Sequence, residues 1–135
     1  MNNRCYHIIN ICFGSIILGI IFYSLLFRGD NHPIPALLTK VTGLIPPSKG
    51  LSASFSELVR GNIEAASMLN PYSLRVFSFF LIQLFTRALV SLVIEENWIN
   101  KSRMVLIDVF YSTALFAICF APLINYTIRL FAKLL

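Results

Sequence analysis

Charged side chains are scarce in this 135-residue chain. They make up 13% of the residues, whereas hydrophobic residues make up 57%. A soluble domain carries about 25% charged residues, so this chain has roughly half the charge that a water-facing surface needs. A domain this small must leave much of its surface exposed, and an apolar surface of that extent excludes a soluble fold. The 12 Phe and 5 Tyr residues exclude disorder, coiled coil and collagen. The composition therefore predicts one integral membrane domain over residues 1–135.

Motifs for catalysis or metal binding are also lacking. The three cysteines, Cys5, Cys12 and Cys119, form no Cys-x-x-Cys pair, which favours inert thiols over functional ones. Asp30 and His32 would supply only half of a metal site. There is no glycine-rich phosphate loop, no Gly-x-Ser-x-Gly elbow and no His-Glu-x-x-His motif. We therefore expect no metal and no cofactor, and we favour a non-enzymatic protein.

Basic residues outnumber acidic residues by 11 to 6, which gives a net charge of +5. They are scattered singly and form no cluster that could follow a phosphate backbone, so nucleic acid is excluded as a partner. Most lie at the ends of apolar runs, where they meet the headgroups of membrane lipid and determine topology. Six lie on the side of the 28–71 segment and the C-terminus, and three lie on the other side. This imbalance favours a cytoplasmic 28–71 segment.

Three apolar runs are long enough to cross a hydrocarbon core of about 30 Å, which takes about 20 helical residues. They cover about 7–27, 72–94 and 104–131. The first follows a short basic start, but its apolar core is longer than that of a secretory signal and no small-residue cleavage site follows, so we expect a retained helix. Pro122 lies within the third run and is expected to kink it, because proline removes a backbone hydrogen bond.

Between the first two spans, apolar residues recur at helical spacing over about 51–69, interrupted by charges. This pattern predicts an amphipathic helix pair that lies on the membrane surface or enters it as a re-entrant element. The fold class is therefore all-α, with three transmembrane helices and this pair between the first and second. The residues predicted to break and cap the helices are Pro46, Pro47 and Gly50 before the pair, Ser54 and Glu57 as a capping box, Gly61 as a left-handed helix end, Asn62 as the next N-cap, and Asn70 with Pro71 as N-cap and first residue of the second span.

Four charges lie inside the predicted spans: Arg75 and Arg129 are within three residues of the span ends, and two others lie deeper. Arg87 lies about midway in the second span with Gln83 one turn away on the same face, and Asp108 lies about one turn into the third span. Because the two spans run antiparallel about a short loop, the two charges differ in height by about 6 Å, within reach of an arginine side chain. An unpaired charge in lipid is costly, so we predict an Arg87–Asp108 ion pair. With only one acid–base pair present, a role in joining helices is favoured over a proton or ion path.

Four short motifs occur in and around the segment between the first two spans: Thr42-Gly43-Leu44, Gly50-Leu51-Ser52, Arg60-Gly61-Asn62-Ile63-Glu64-Ala65-Ala66 and Asn70-Pro71. In these motifs the chain resembles a family of small bacterial membrane proteins of unknown function. The family's core is Thr-Gly, Cys-Pro-x-Cys-Gly-x-Thr-Arg-Ala, a helix, Gly-Asp or Gly-Asn, and then Asn-Pro. Here Pro46 and Lys49 stand at the two cysteine positions and Ala53 at the arginine position, so the chemistry of a cysteine pair is lost. The resemblance implies a protein of the bacterial cytoplasmic membrane.

Together these features favour a non-enzymatic accessory or scaffold protein that acts through helix–helix contacts in a membrane complex. The partner would be another membrane protein or a second copy, and Ser15-x-x-x-Gly19 offers a small-residue surface for close helix approach. Two alternatives stay open. One is a small transporter or channel subunit with a polar path at Gln83, Arg87 and Asp108. The other is a membrane enzyme that acts on a lipid-linked substrate, with His32, Glu57 or Glu64 at the interface.

Overall fold

The computed structural model describes residues 3–27, 47–95 and 101–134, and within these ranges the regular structure is entirely helical. Three helices are long and apolar enough to cross a membrane, with spans at Cys5–Leu26, Ser73–Leu92 and Arg103–Ala132. The predicted fold class is confirmed. The helices are α1 (Asn3–Leu26), α2 (Leu51–Val59), α3 (Ile63–Leu69), α4 (Ser73–Glu95) and α5 (Lys101–Leu134). The last continues through Pro122 as one helix.

One stripe of α1 packs on α4. Its buried residues are Tyr6, Asn10, Ile17 and Ser24. Successive members are four or seven residues apart, and these intervals place side chains on one face of a helix. The rest of α1 is open, which is the expected state of a helix side that faces lipid.

The predicted packing pair Ser15 and Gly19 lies on this open side of α1, and both residues are exposed. A Cβ atom added at Gly19 would have no neighbour within 4 Å. The pair is therefore not an interface within the described part of the chain. The reason is that the stripe that carries Tyr6 and Asn10, and not the smallest residues, turns toward α4.

The short helix α2 fills one end of the bundle. Its Phe55 packs edge to face on Phe77 and Phe80 of α4, with ring centroids 5.2 and 5.8 Å apart, which is a favoured aromatic geometry. Ile20 from α1 and Phe120 from α5 cover the same apolar cluster. In the described helices, no Cα of α1 lies within 8 Å of a Cα of α5. Both long helices therefore pack on α4, and their backbones do not come into contact with each other.

The start of α2 corrects the predicted capping box. The helix begins at Leu51, so Ser54 lies in its first turn, and the Ser54 hydroxyl donates to the Gly50 carbonyl oxygen at 2.9 Å. Glu57 lies near the C-terminal end of the nine-residue helix, so it does not reach back to an N-cap. The prediction was wrong because the turn at 47–50, with Gly50 at φ +78° in the N-cap position, starts the helix four residues earlier.

The other predicted breaks are partly right. Gly61 has φ +84° and follows the end of α2, as predicted. Asn62 is at the N-cap position of α3, but its side chain makes no cap bond and donates to Glu57 Oε2 at 3.0 Å. Pro71 lies in the turn before α4, which begins at Ser73 and not at the proline. Pro46 lies outside the described residues, as do Asp30 and His32.

Candidate functional site

Arg87 of α4 and Asp108 of α5 form a two-pronged ion pair. Arg87 Nη1 donates to Asp108 Oδ2 at 2.8 Å, and Nη2 donates to Oδ1. The two residues are only 9% and 7% exposed. Each lies five residues inside one end of its span, about 7 Å below that end. The pair predicted from helix geometry is present, in the bidentate form that makes arginine–carboxylate pairs strong.

Helix α1 completes the cluster with two side chains. The Tyr6 hydroxyl donates to Asp108 Oδ2 at 2.5 Å, which links α1 to α5. Asn10 Oδ1 accepts from Arg87 Nη1 at 3.1 Å, and Asn10 Nδ2 donates to the Arg87 carbonyl oxygen at 2.9 Å and to Ser91 Oγ at 2.8 Å. Sequence reasoning missed Tyr6 and gave Asn10 no role. Their spacing of four residues on an otherwise apolar helix was the signal that could have found them.

Ser112 of α5 closes the cluster on its other side. Its Oγ accepts from Arg87 Nη2 at 2.9 Å. The same oxygen lies 3.4 Å from Asp108 Oδ1 and 3.5 Å from Gln83 Oε1. A hydroxyl has one proton, so Ser112 donates to only one of these two oxygens at a time. The Phe13 ring lies 5.7 Å from Arg87 Cζ, within the range of a cation–π contact.

The charges in this cluster are balanced. Each oxygen of the Asp108 carboxylate has two donors, and each terminal nitrogen of the Arg87 guanidinium has two acceptors. A buried ion pair is tolerated in an apolar medium when its remaining hydrogen-bonding positions are largely filled, and here Arg87 Nε is the position of the pair without a partner among the described residues. The arrangement can therefore hold three helices together. It offers no unoccupied carboxylate oxygen to a proton or a cation.

Beside the cluster, α1 and α5 leave a cleft of about 330 Å³. Its floor includes Gln83, which is 0% exposed and lies near the middle of the α4 span. Gln83 Nε2 and Arg87 Nε are buried and have no hydrogen-bond partner among the described residues. The apolar walls are Ile9 and Phe13 from α1 and Val105 and Val109 from α5.

A second set of polar contacts holds the turn before α2. Asn70 is 2% exposed, and its Nδ2 donates to the carbonyl oxygens of Pro47 at 2.7 Å and Lys49 at 2.9 Å. Its Oδ1 accepts the backbone N–H of Tyr72 at 2.8 Å, within the turn before α4. Because α4 begins at Ser73, Asn70 is not its N-cap as predicted; it is the C-cap of α3. At Gly50, a Cβ would come 2.7 Å from the Leu69 carbonyl oxygen. This clasp positions α2 against the ends of α1 and α4.

Arg60 has a role that the sequence did not suggest. Its Nη2 donates to the Leu25 carbonyl oxygen at 2.7 Å, and its Nη1 lies 3.4 Å from that of Ser24. The Ser56 hydroxyl donates to the Phe27 carbonyl oxygen at 2.5 Å. The last carbonyls of a helix lack intrahelical donors and carry partial negative charge, so a cation there is stabilising. Arg60 and Ser56 therefore cap the C-terminus of α1.

Among the described residues, no group of three His, Cys, Asp or Glu side chains could hold a metal ion. Cys5 and Cys12 are exposed, Cys119 is buried, and all three are free thiols. The fold and the site define a class: an all-helical membrane protein whose three spans are joined by a buried, charge-balanced cluster. Comparisons with protein-family models, curated proteins and solved structures find no match to this chain. The resemblance to a bacterial family stays a prediction.

Proposed function

We propose that this protein is a non-enzymatic accessory subunit of a complex in the bacterial cytoplasmic membrane, and that it acts through contacts between its spans and a neighbouring helix. The observation that carries this proposal is that both oxygens of the Asp108 carboxylate are fully hydrogen-bonded within the Arg87–Asp108 cluster. Its charges are satisfied by side chains of α1, α4 and α5. A group that carries protons or ions needs a coordination position that opens and closes, and the carboxylate has none in this arrangement.

The thin packing of the spans also supports a role in helix contact. Buried residues make up 17% of the apolar stretch of α1 and 11% of that of α5, against 33% in the central α4. Helices in lipid associate through close packing and interhelical hydrogen bonds, and a three-helix unit this open has long faces free for neighbours. Phe110 on α5 is 76% exposed and Phe22 on α1 is 64% exposed.

The α2–α3 pair is proposed to be re-entrant. Phe55 packs with Ile20 and Phe80, which lie six and seven residues inside the ends of α1 and α4, about 10 Å below those ends. An element at that depth must bury its backbone breaks in protein. The Asn70 clasp pairs the carbonyl oxygens of the turn before α2, and at the exposed break between α2 and α3 the N–H groups of Gly61 and Asn62 donate to carbonyl oxygens of α2. The pair would act as a wedge that fixes the angle between the outer helices.

Photo-crosslinking in native membranes tests the proposed function. A photoreactive phenylalanine analogue replaces Phe110, which is exposed on α5, and Phe77, which is buried in the core, serves as the matched control position. We expect a discrete protein adduct from the Phe110 position and none from the Phe77 position. Adducts to lipid alone at Phe110 would contradict the proposal.

The transporter alternative makes an opposite prediction for the purified protein. Because the cleft lies beside Arg87 and Gln83, a conducting subunit would pass protons or ions in liposomes, and Arg87→Leu would abolish the flux. The accessory role predicts the same leak rate in liposomes with and without the protein. The measurement is dye-reported flux under an imposed membrane potential.

A further inference from the structure

Two exposed arginines at one end of the bundle have no partner among the described residues. Arg75 is the third residue of the α4 span, and Arg129 lies three residues before the end of the α5 span. Because these two helices run antiparallel, both arginines lie at the end of the bundle that carries α2 and α3. Neither side chain makes a hydrogen bond or an ion pair with a described residue. A charge this close to the hydrocarbon core needs a partner or water.

Both arginines lie on the open side of the α4–α5 pair. Phe80 of α4 and Phe120 of α5 turn toward α2, because both pack on the apolar cluster around Phe55. At about 100° per residue, Arg75 lies about 140° around α4 from Phe80, and Arg129 lies about 180° around α5 from Phe120. The two arginines therefore face away from α2 and toward the surrounding lipid.

The acidic side chains near this end of the bundle lie on its other side. Glu57 belongs to α2 and Glu64 to α3. Helix α3 contacts α4 through Ser73, whose hydroxyl donates to the Ala66 carbonyl oxygen at 3.2 Å. Ser73 lies about 160° around α4 from Arg75. Among the side chains that the structure describes, the open side of α4 and α5 at this end therefore carries two positive charges and no negative charge.

The two arginines lie at different depths. Phe79 of α4 packs on Phe116 and Phe120 of α5, with ring centroids 5.9 and 5.3 Å apart, so Phe79 is level with a point between those two residues. Arg75 lies about four residues further out than Phe79, and Arg129 lies about eleven residues further out than that point, so Arg129 is about 10 Å higher. Arginine places its charge in the polar layer at the end of a long apolar stem, so both side chains can reach one headgroup between them.

Tyr126 adds a third polar group on the same side. It lies about 60° around α5 from Arg129, and its depth falls between those of the two arginines. It is partly buried, and its hydroxyl makes no hydrogen bond with a described residue. A tyrosine near the end of a span is typical of the membrane interface, where its hydroxyl contacts the headgroup layer.

We infer that Arg75, Tyr126 and Arg129 bind the phosphate of an anionic phospholipid, whose acyl chains lie along the open side of α4 and α5. Two positive charges with no acid beside them favour a headgroup with net negative charge. A zwitterionic lipid brings a cation of its own, which the arginines repel. Ile82 and Leu89 continue the face of Arg75 along α4 and are exposed, so they offer apolar surface to an acyl chain. This lipid site goes beyond the accessory function and does not depend on it.

Lipid titration of the purified protein tests the site. Phosphatidylglycerol, which is anionic, or phosphatidylethanolamine, which is zwitterionic, is added in mild detergent, and native mass spectrometry counts the lipids that stay bound. We expect the wild type to bind one phosphatidylglycerol with about tenfold higher affinity than phosphatidylethanolamine. Arg75→Gln/Arg129→Gln should lose this preference. Arg103→Gln is the matched control and should keep it, because Arg103 is also exposed at a span end but lies at the opposite end of α5.

The variants separate lipid binding from folding. Both arginines are exposed and make no bond with a described residue, so Arg75→Gln/Arg129→Gln should unfold at the same concentration of denaturing detergent as the wild type. Equal affinities of the wild type for the two lipids would overturn the inference, as would a double variant that keeps the preference or an Arg103→Gln variant that loses it. Tyr126→Phe should weaken phosphatidylglycerol binding about threefold, and an unchanged affinity would contradict its place in the site.

Discussion

Replacing the two charges of the cluster singly and together should give an unusual order of stability. Arg87→Leu or Asp108→Leu alone leaves one buried charge without its partner, and removing one partner of a buried ion pair costs about 3–5 kcal/mol. The double change removes both charges and leaves an apolar pair of similar bulk. Its cost comes from the lost partners of Tyr6, Asn10 and Ser112, which amounts to about 2 kcal/mol. The double variant should therefore be more stable than either single variant.

Asp108→Asn sharpens this prediction because it keeps the size of the side chain. Both carboxylate oxygens accept two hydrogen bonds, from Arg87, Tyr6 and Ser112. An asparagine would place an NH₂ group where one of those acceptors stood and would leave the guanidinium charge uncompensated. We expect it to lose about 3 kcal/mol, close to the loss caused by Asp108→Leu.

The assay is a double-mutant cycle on the purified protein in mild detergent, with the free energy of unfolding measured by titration with a denaturing detergent. The four proteins of the cycle are compared under one condition, with Asp108→Asn as a fifth. If the two single losses simply added in the double variant, Arg87 and Asp108 would not be coupled. A fully stable Asp108→Asn variant would show that the carboxylate charge is not needed.

Three further changes are checked in the same unfolding assay. Tyr6→Phe removes the hydrogen bond between α1 and α5 and should cost about 1 kcal/mol, whereas an unchanged stability would mean that Asp108 does not depend on it. Gly50→Ala should cost about 2 kcal/mol, because φ is +78° and the new Cβ would meet the Leu69 carbonyl, while Gly19→Ala, which meets open space, should be neutral. Equal effects of the two glycine changes would contradict this account of the turn. Asn70→Ala should cost about 2 kcal/mol by releasing three backbone groups, and the exposed Asn125→Ala should change stability by less than about 0.5 kcal/mol. An Asn70→Ala protein as stable as the control would show that the Asn70 hydrogen bonds do not stabilise the turn before α2.

The spans and the ion pair could be predicted from the sequence because they depend on local quantities. Apolar runs predicted all three spans to within two residues at each of their ends. The rise of 1.5 Å per residue and the antiparallel order were enough to bring Arg87 and Asp108 together. Neither step needs knowledge of which helix faces meet.

Predicting which α1 side chains bond to Arg87 and Asp108 required knowing which helix faces meet. Tyr6 and Asn10 join the cluster only because α1 turns their face toward α4, which is a property of the assembled bundle. The start of α2 depends in the same way on a distant residue, since Asn70 holds the carbonyls of the turn at 47–50. The Ser54–Glu57 capping-box pattern depends only on nearby residues, so it could not show the contact between Asn70 and this turn. Ser15 and Gly19 form a plausible packing motif, but its use within the chain could not be judged from spacing alone.

The central claim is that the Arg87–Asp108 cluster joins the spans of a subunit that works through its outer faces. The most direct test is Phe110 photo-crosslinking in the folded Arg87→Leu/Asp108→Leu double variant in native membranes. The account predicts the same protein adduct as in the wild type, with a yield within about twofold, because the double variant keeps an apolar joint of similar shape. Loss of the adduct from a double variant that is folded and present at normal levels would contradict it, since the charges themselves would then be needed for the protein's interaction.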